Sequence, residues 1–214
     1  MNKLNTLDRI RASKIVAIVR EKDPDVALNA AIACCEGGIT CIEIALTTVN
    51  GLGVLSELAK ISDITVGAGT VLDADTASTA IRMGASFLLS PSVIPEMIRV
   101  CSRYGAVSIP SAFTPTEVLS ALEAGADIVK IFPASTGGLT HIESIGAQLP
   151  QASLMPSGRV SVDDVGRWFV KGVVAVGVGG ALTSCAKTGD FSSIRQRARQ
   201  LVAMVQRMGT EPTH

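Results

Sequence analysis

The stretch Ala124-Gly125-Ala126-Asp127-Ile128-Val129-Lys130-Ile131-Phe132-Pro133 holds one complete change of secondary structure. A small, glycine-centred step ends a helical pattern, because glycine readily takes the left-handed conformation of a helix stop. The β-branched run behind it reads as a short buried strand. The same punctuation returns along the chain. Met83-Gly84-Ala85 and Gly37-Gly38 each stand between a helical stretch and an apolar run. Asp23-Pro24 opens the helical stretch Asp25–Glu36 as an N-cap with proline at the first helical position. Thr114-Pro115-Thr116-Glu117 has the residues of another capped start.

Eight apolar runs follow this rhythm: Ile15–Val19, Cys41–Leu46, Ile64–Gly67, Ser86–Ser90, Ala106–Pro110, Asp127–Phe132, Ser153–Pro156 and Val173–Val178. Eight strands alternating with eight helices require a parallel sheet. The interval of roughly 20 to 26 residues is short but feasible for a barrel, whose usual length is about 250 residues. The expected fold is α/β, a (β/α)8 TIM barrel in a single domain spanning 1–214. Met1–Ser13 reads as an extra helix beneath the barrel. Phe191–Met208 reads as a last helix whose basic side (Arg195, Arg197, Arg199) is solvated. Gly209–His214 reads as a frayed tail.

Composition narrows the function. Of 214 residues 47% are hydrophobic, enough for a large core. Lys plus Arg and Asp plus Glu both number 19, so no net charge favours a polyanion such as nucleic acid. With one Trp, one Tyr and five Phe, stacking platforms for single strands are scarce. The N-terminus lacks the apolar centre of a signal peptide, and no run reads as a membrane span. The five cysteines form no Cys-x-x-Cys pair and read as small core residues of a reducing, cytoplasmic compartment.

Chemistry belongs at the C-terminal ends of the strands in such a barrel. Lys130 stands there in an apolar strand. Desolvation disfavours an ammonium, and a lysine so placed can serve as the amine nucleophile that forms a Schiff base with a ketone. The plainer reading is a lysine whose stem packs while its head reaches water. Glu43, inside Cys41-Ile42-Glu43-Ile44-Ala45-Leu46, is an acid in an apolar strand and needs a partner or a task. A structural salt bridge to Lys130 is the rival reading. The glycine-rich ends of strands seven and eight, Ser157-Gly158-Arg159 and Gly177-Val178-Gly179-Gly180, occupy the usual phosphate position. Glycine lets backbone N–H groups approach an anion, although Gly177–Gly180 also suits a plain tight turn.

These segments together resemble the 2-keto-3-deoxy-6-phosphogluconate aldolase family, which includes phosphogalactonate and 4-hydroxy-2-oxoglutarate aldolases. The resemblance runs from about Ile15 to the last helix. It is carried by Glu43-Ile44-Ala45-Leu46, Val66-Gly67-Ala68-Gly69-Thr70-Val71-Leu72, Ser90-Pro91, Ile109-Pro110, Thr114-Pro115-Thr116-Glu117, Ala124-Gly125-Ala126, Val129-Lys130-Ile131-Phe132-Pro133-Ala134 and Val176-Gly177-Val178-Gly179-Gly180. It implies a class I aldolase that needs no cofactor or metal and assembles as a cytoplasmic homotrimer. Lys130 would be the Schiff-base lysine and Glu43 the proton carrier. Substrate contacts would come from Arg20, Thr47, Thr70, Pro91 and Phe132. Phosphate contacts would come from Ser157, Gly158, Arg159, Gly179 and Gly180.

Three positions depart from the family pattern. Thr47 stands where an arginine usually follows Leu46, and Arg20 on the neighbouring strand can supply that charge. Ser157-Gly158-Arg159 replaces Thr-Gly-Gly. Ala181 replaces a serine. The implied reaction is cleavage of a 2-keto-3-deoxy-6-phospho sugar acid to pyruvate and glyceraldehyde 3-phosphate. Its rivals are an aldolase for an unphosphorylated acid such as 4-hydroxy-2-oxoglutarate, a phosphate-binding isomerase barrel and a non-catalytic ligand-binding barrel.

Overall fold

Apolar side chains alternate along each short strand, and this alternation sorts them between two cores. In the computed structural model, which describes residues 2–208, the strands are β1 (Ile15–Val19), β2 (Cys41–Ala45), β3 (Thr65–Gly69), β4 (Phe87–Ser90), β5 (Val107–Ala112), β6 (Val129–Ile131), β7 (Leu154–Pro156) and β8 (Val176–Val178). They pair in parallel in the order β7-β6-β5-β4-β3-β2-β1-β8. Bridges Leu154↔Val173 and Ser157↔Gly177 bring β7 to the β8 side, so the sheet closes into a barrel. Residues such as Ile15, Ala17, Val19, Ile42, Ile44, Val129 and Ile131 point outward into the core shared with the helices. Val16, Cys41, Phe87, Leu89, Val107, Ile109, Ile128 and Met155 point inward and fill the barrel. Glu43 and Lys130 share the inward parity of Cys41 and Ile128, and so face the barrel axis.

Helix α1 (Lys3–Ser13) seals the lower end. Asn2 caps it by accepting from the N–H groups of Leu4 and Asn5, and its Ile10 packs into the inner cluster. Lys3 pairs with Asp127 at 2.8 Å. The outer helices are α2 (Pro24–Glu36), α3 (Gly51–Leu58), α4 (Ala74–Arg82), α5 (Pro95–Tyr104), α6 (Pro115–Glu123) and α7 (Ala134–Gln148). Asp23 caps α2, and Thr114 and Glu117 complete a capping box on α6, as their spacing in the sequence predicts.

The expected eight-helix alternation breaks after β7. There the described chain carries only a 3-10 turn, Val165–Trp168, in place of an α-helix. Gly158 and Arg159 both take positive φ (98° and 59°), which turns the chain away from a helical start. Asp164 then accepts from Ser161 N–H and the Trp168 indole, so the loop satisfies itself. After β8 come a short α8 (Gly180–Thr183), a 3-10 turn (Ser184–Thr188) and α9 (Phe191–Met208). Ile194, Ala198, Leu201 and Val205 give α9 one buried stripe. Its basic side is less free than a solvated face: Arg195 pairs with Glu36, and Arg197 donates to the Ala181 carbonyl at 3.2 Å. The tail 209–214 and Met1 lie outside the described residues.

Other strand limits shift slightly. β3 runs on to Gly69 because that residue pairs with Ala45, and β5 runs on to Ala112 because Ser111 and Ala112 pair with Lys130 and Ile131. β8 starts later than expected, at Val176. No helix among the described residues is long and apolar enough to cross a membrane.

Candidate active site

Above the inner core a cavity of about 240 Å³ opens at the C-terminal ends of the strands. Its wall brings together Arg20, Thr70, Pro91, Lys130, Phe132, Ser157, Gly158, Arg159, Gly179 and Gly180 from all round the ring. Thr47 does not join them: it is exposed and lines a separate groove with Arg20, Glu21, Lys22 and Lys187. Arg20 belongs to both spaces.

Lys130 is half-buried and opens into the cavity from β6, with its Nζ 5.2 Å from the centroid of the Phe132 ring. That separation suits a cation–π contact. Its ladder neighbours are Ser111 and Met155. Ser111 Oγ donates to the Ser90 carbonyl at 2.6 Å, and Ser90 Oγ donates to the Ser92 carbonyl at 2.6 Å. Both serines line the cavity. Their strand-end positions are plain in the sequence, but only the register sets Ser111 beside Lys130.

Glu43 is 1% exposed, and its Oε2 has no hydrogen-bond partner. Burial pushes its pKa above the ordinary carboxylate value, while the charges of Lys130 and Arg20 pull the other way. No ion pair forms between Glu43 and Lys130, so the structural salt bridge is not what holds this acid inside. The backbone makes room for it at Gly69 on the next strand. A Cβ there would lie 1.6 Å from Glu43 Oε1, so only glycine leaves space for the carboxyl group.

Thr70 follows Gly69 with φ 60°, a conformation that β-branched residues rarely adopt. Its hydroxyl accepts from Arg20 Nη2 at 3.2 Å. A strained residue held beside a cationic fork is a common mark of a binding site. At the opposite rim, Gly158 has φ 98°, and a Cβ on it would meet the Phe132 ring at 3.2 Å. The backbone N–H groups of Gly158, Arg159, Gly179 and Gly180 find no hydrogen-bond partner among the described residues. Ser157 sits deeper: it is 2% exposed, with its Oγ against Gly177 at the barrel's closure.

All five cysteines are free. Burial pushes the Cys101 thiol up to about 12, which suits a packing residue and not a nucleophile. Among the described residues, no group of three or more His, Cys, Asp or Glu side chains is placed to hold a metal ion.

Residues 7–197 match the family model described as "Aldolase: KDPG and KHG aldolase". A probable 2-dehydro-3-deoxy-6-phosphogalactonate aldolase of Rhizobium meliloti (strain 1021) is 34% identical over 188 residues, covering 86% of this chain and 87% of that protein. The 2-dehydro-3-deoxy-6-phosphogalactonate aldolase of Escherichia coli K12 is 30% identical over 194 residues, covering 89% and 92%. Among solved structures, a KDPG aldolase from Legionella pneumophila superposes with a TM-score of 0.84 at 25% identity, over 92% of this chain and 97% of that one. It holds pyruvate captured at low pH as a covalent carbinolamine intermediate.

Proposed function

The chain belongs to the KDPG and KHG aldolase family and is a lyase; from that premise we propose that it cleaves a 2-keto-3-deoxy-6-phospho sugar acid to pyruvate and glyceraldehyde 3-phosphate through a Schiff base on Lys130. The observation that carries this reading is the pairing of an amine open to the cavity with a buried carboxyl group that has an unpartnered oxygen. The Lys130 amine adds to the C2 ketone. Glu43, whose pKa is raised by burial, gives a proton to the departing hydroxyl. Water leaves and the iminium forms. The C3–C4 bond then breaks, and its electron pair flows into the iminium. The Glu43 carboxylate takes the C4 hydroxyl proton, which releases the aldehyde. The same proton returns to C3 of the enamine, and hydrolysis frees pyruvate and the lysine. One carboxyl group acting in alternating roles is ordinary acid–base catalysis.

Arg20 and Thr70, joined by a hydrogen bond, would hold the substrate carboxylate, with Arg20 supplying the charge that Thr47 lacks. Pro91 and Phe132 wall the carbon chain. The free N–H groups of Gly158, Arg159, Gly179 and Gly180 face the distal phosphate. Assembly as a homotrimer in the cytoplasm belongs to the same proposal. Light scattering in solution reads the assembly, and a dominant monomer ends that part of it.

Pyruvate with borohydride should reduce the Schiff base and mark Lys130 irreversibly, as peptide mass spectrometry would show. Lys130→Met should lose both the mark and turnover. A mark that survives in Lys130→Met overturns the reading. Cleavage of 4-hydroxy-2-oxoglutarate in preference to the phosphorylated acid would replace the substrate and keep the chemistry.

A further inference from the structure

Arg159 stands at the border of two spaces. It lines the catalytic cavity, and it also lines a second cleft of about 300 Å³ with Ser135, Gly138, Leu139, Asp164, Arg167 and Trp168. The cleft therefore adjoins the cavity at Arg159. Its two guanidinium groups, Arg159 and Arg167, are exposed, and neither has an ion pair or side-chain hydrogen bond among the described residues. The one carboxylate in the cleft does not neutralise them. Asp164 Oδ1 accepts from Ser161 N–H at 2.9 Å and from the Trp168 indole at 3.2 Å, which turns it to its own loop. Ser135 gives its N–H to the Gly158 carbonyl, and this contact ties the floor of the cleft to the rim.

Arg159 also occupies a backbone position that suits glycine, with φ 59° directly after Gly158 at 98°. A non-glycine residue is strained there. Among the described residues the Arg159 side chain makes no ion pair or hydrogen bond that would offset the strain. Two unpaired planar forks facing one space match a doubly charged, oxygen-rich anion better than a single carboxylate.

We propose that Arg167, reaching in from the outer cleft together with Arg159, clamps the terminal phosphate monoester of the substrate, and that Arg167 determines the preference for phosphorylated over unphosphorylated acids. The inference rests on the aldolase reading above and deepens it. In that reading the backbone at the rim supplies neutral donors, and the outer cleft supplies the countercharge. Arg167 touches only the distal end, far along the chain from the reacting bond, so it acts on selection and not on the chemical step.

The experiment compares kcat/KM for a 2-keto-3-deoxy-6-phospho acid with that for its unphosphorylated counterpart, in wild type, Arg167→Gln, Arg167→Lys, Arg159→Gly and the double variant. A charge-assisted hydrogen bond is worth roughly 1.5–3 kcal/mol, and at an exposed site the low end applies. The preference ratio should therefore fall roughly tenfold in Arg167→Gln, mainly through KM. It should recover in part in Arg167→Lys. The double variant should lose less than the product of the single losses, because both forks hold one anion. Inorganic phosphate should inhibit wild type competitively and Arg167→Gln more weakly. An unchanged ratio in Arg167→Gln overturns the clamp even if wild type strongly prefers phosphate. Wild type without any preference for phosphate overturns the phosphorylated substrate itself. Borohydride labelling of Lys130, read on the same samples, keeps both outcomes separate from a failure of the Schiff-base chemistry.

Discussion

Two acids of this barrel sit in apolar strand contexts, and the protein treats them in opposite ways. Asp127, at the lower end before β6, is fully partnered. Its Oδ2 accepts from both the N–H and the hydroxyl of Ser108 at 2.9 Å, and its Oδ1 meets Lys3 of α1 at 2.8 Å. Glu43, in the upper layer of β2, is buried with an oxygen left unpartnered and no ion pair. The first arrangement is what a structural charge needs, since burial is costly unless hydrogen bonds and countercharge make it good. The second would be a defect if stability were its only purpose. A carboxyl group left short of donors keeps its proton more firmly and remains free to exchange it with a ligand. The contrast separates a clip from a reactive group.

Glu43→Gln should break the contrast most strongly. The amide keeps size and shape but cannot carry a proton, and kcat should fall by roughly 10²–10⁴ while the fold is retained by circular dichroism. If turnover stays within a few-fold, Glu43 is a packing residue. Asp127→Asn is the mirror experiment. It removes the charge that Lys3 and Ser108 share, so urea unfolding should show a loss of roughly 1.5–3 kcal/mol, with kcat of the folded enzyme nearly unchanged. A catalytic loss without a loss of stability would erase the distinction between the two acids.

Arg20→Lys is a smaller test on the Glu43 side. It keeps a positive charge near the acid and removes the fork that reaches Thr70. Pyruvate affinity, measured by calorimetry, should weaken about three- to tenfold, the scale of part of one charged hydrogen bond. Unchanged affinity would assign the carboxylate to Thr70 and backbone groups alone.

The smallest effect is a slope with pH. Glu43 is raised above 4.5 in the folded state, chiefly by burial. Well below that value the group is neutral in both states and contributes nothing. Above it the unfolded chain gives up the proton that the folded chain still holds, so stability falls as pH rises towards the folded pKa. The slope is at most about 1.4 kcal/mol per pH unit. Glu43→Gln removes this term, and the variant should gain on wild type in urea melts as pH rises above 4.5. Parallel stability curves for the two proteins would mean that Glu43 is not held neutral by burial.

The barrel, the two ionisable residues in apolar strands and the glycine-rich rims were legible from local chemistry. Helix stops such as Gly125, caps such as Asp23 and Thr114, and β-branched runs act within a few residues. What lies across strands was not legible, because no local signal encodes register or closure. The pairing of Ser111 with Lys130, and the space that Gly69 leaves for the Glu43 carboxyl group, exist only once the strands have met in register. The missing helix after β7 also escaped the pattern: Gly158 and Arg159 take positive φ, and the segment that follows closes on itself through Ser161 and Asp164 and reaches only a 3-10 turn. Thr47 illustrates the same limit. It follows a strand that carries Glu43, yet the chain turns it outward into the neighbouring groove. The amino-acid sequence by itself determined the elements and the reactive residue types, because these follow from side-chain chemistry at short range. The tertiary structure alone decided which charges are answered and which are left open, because burial and partnership exist only once distant strands have met.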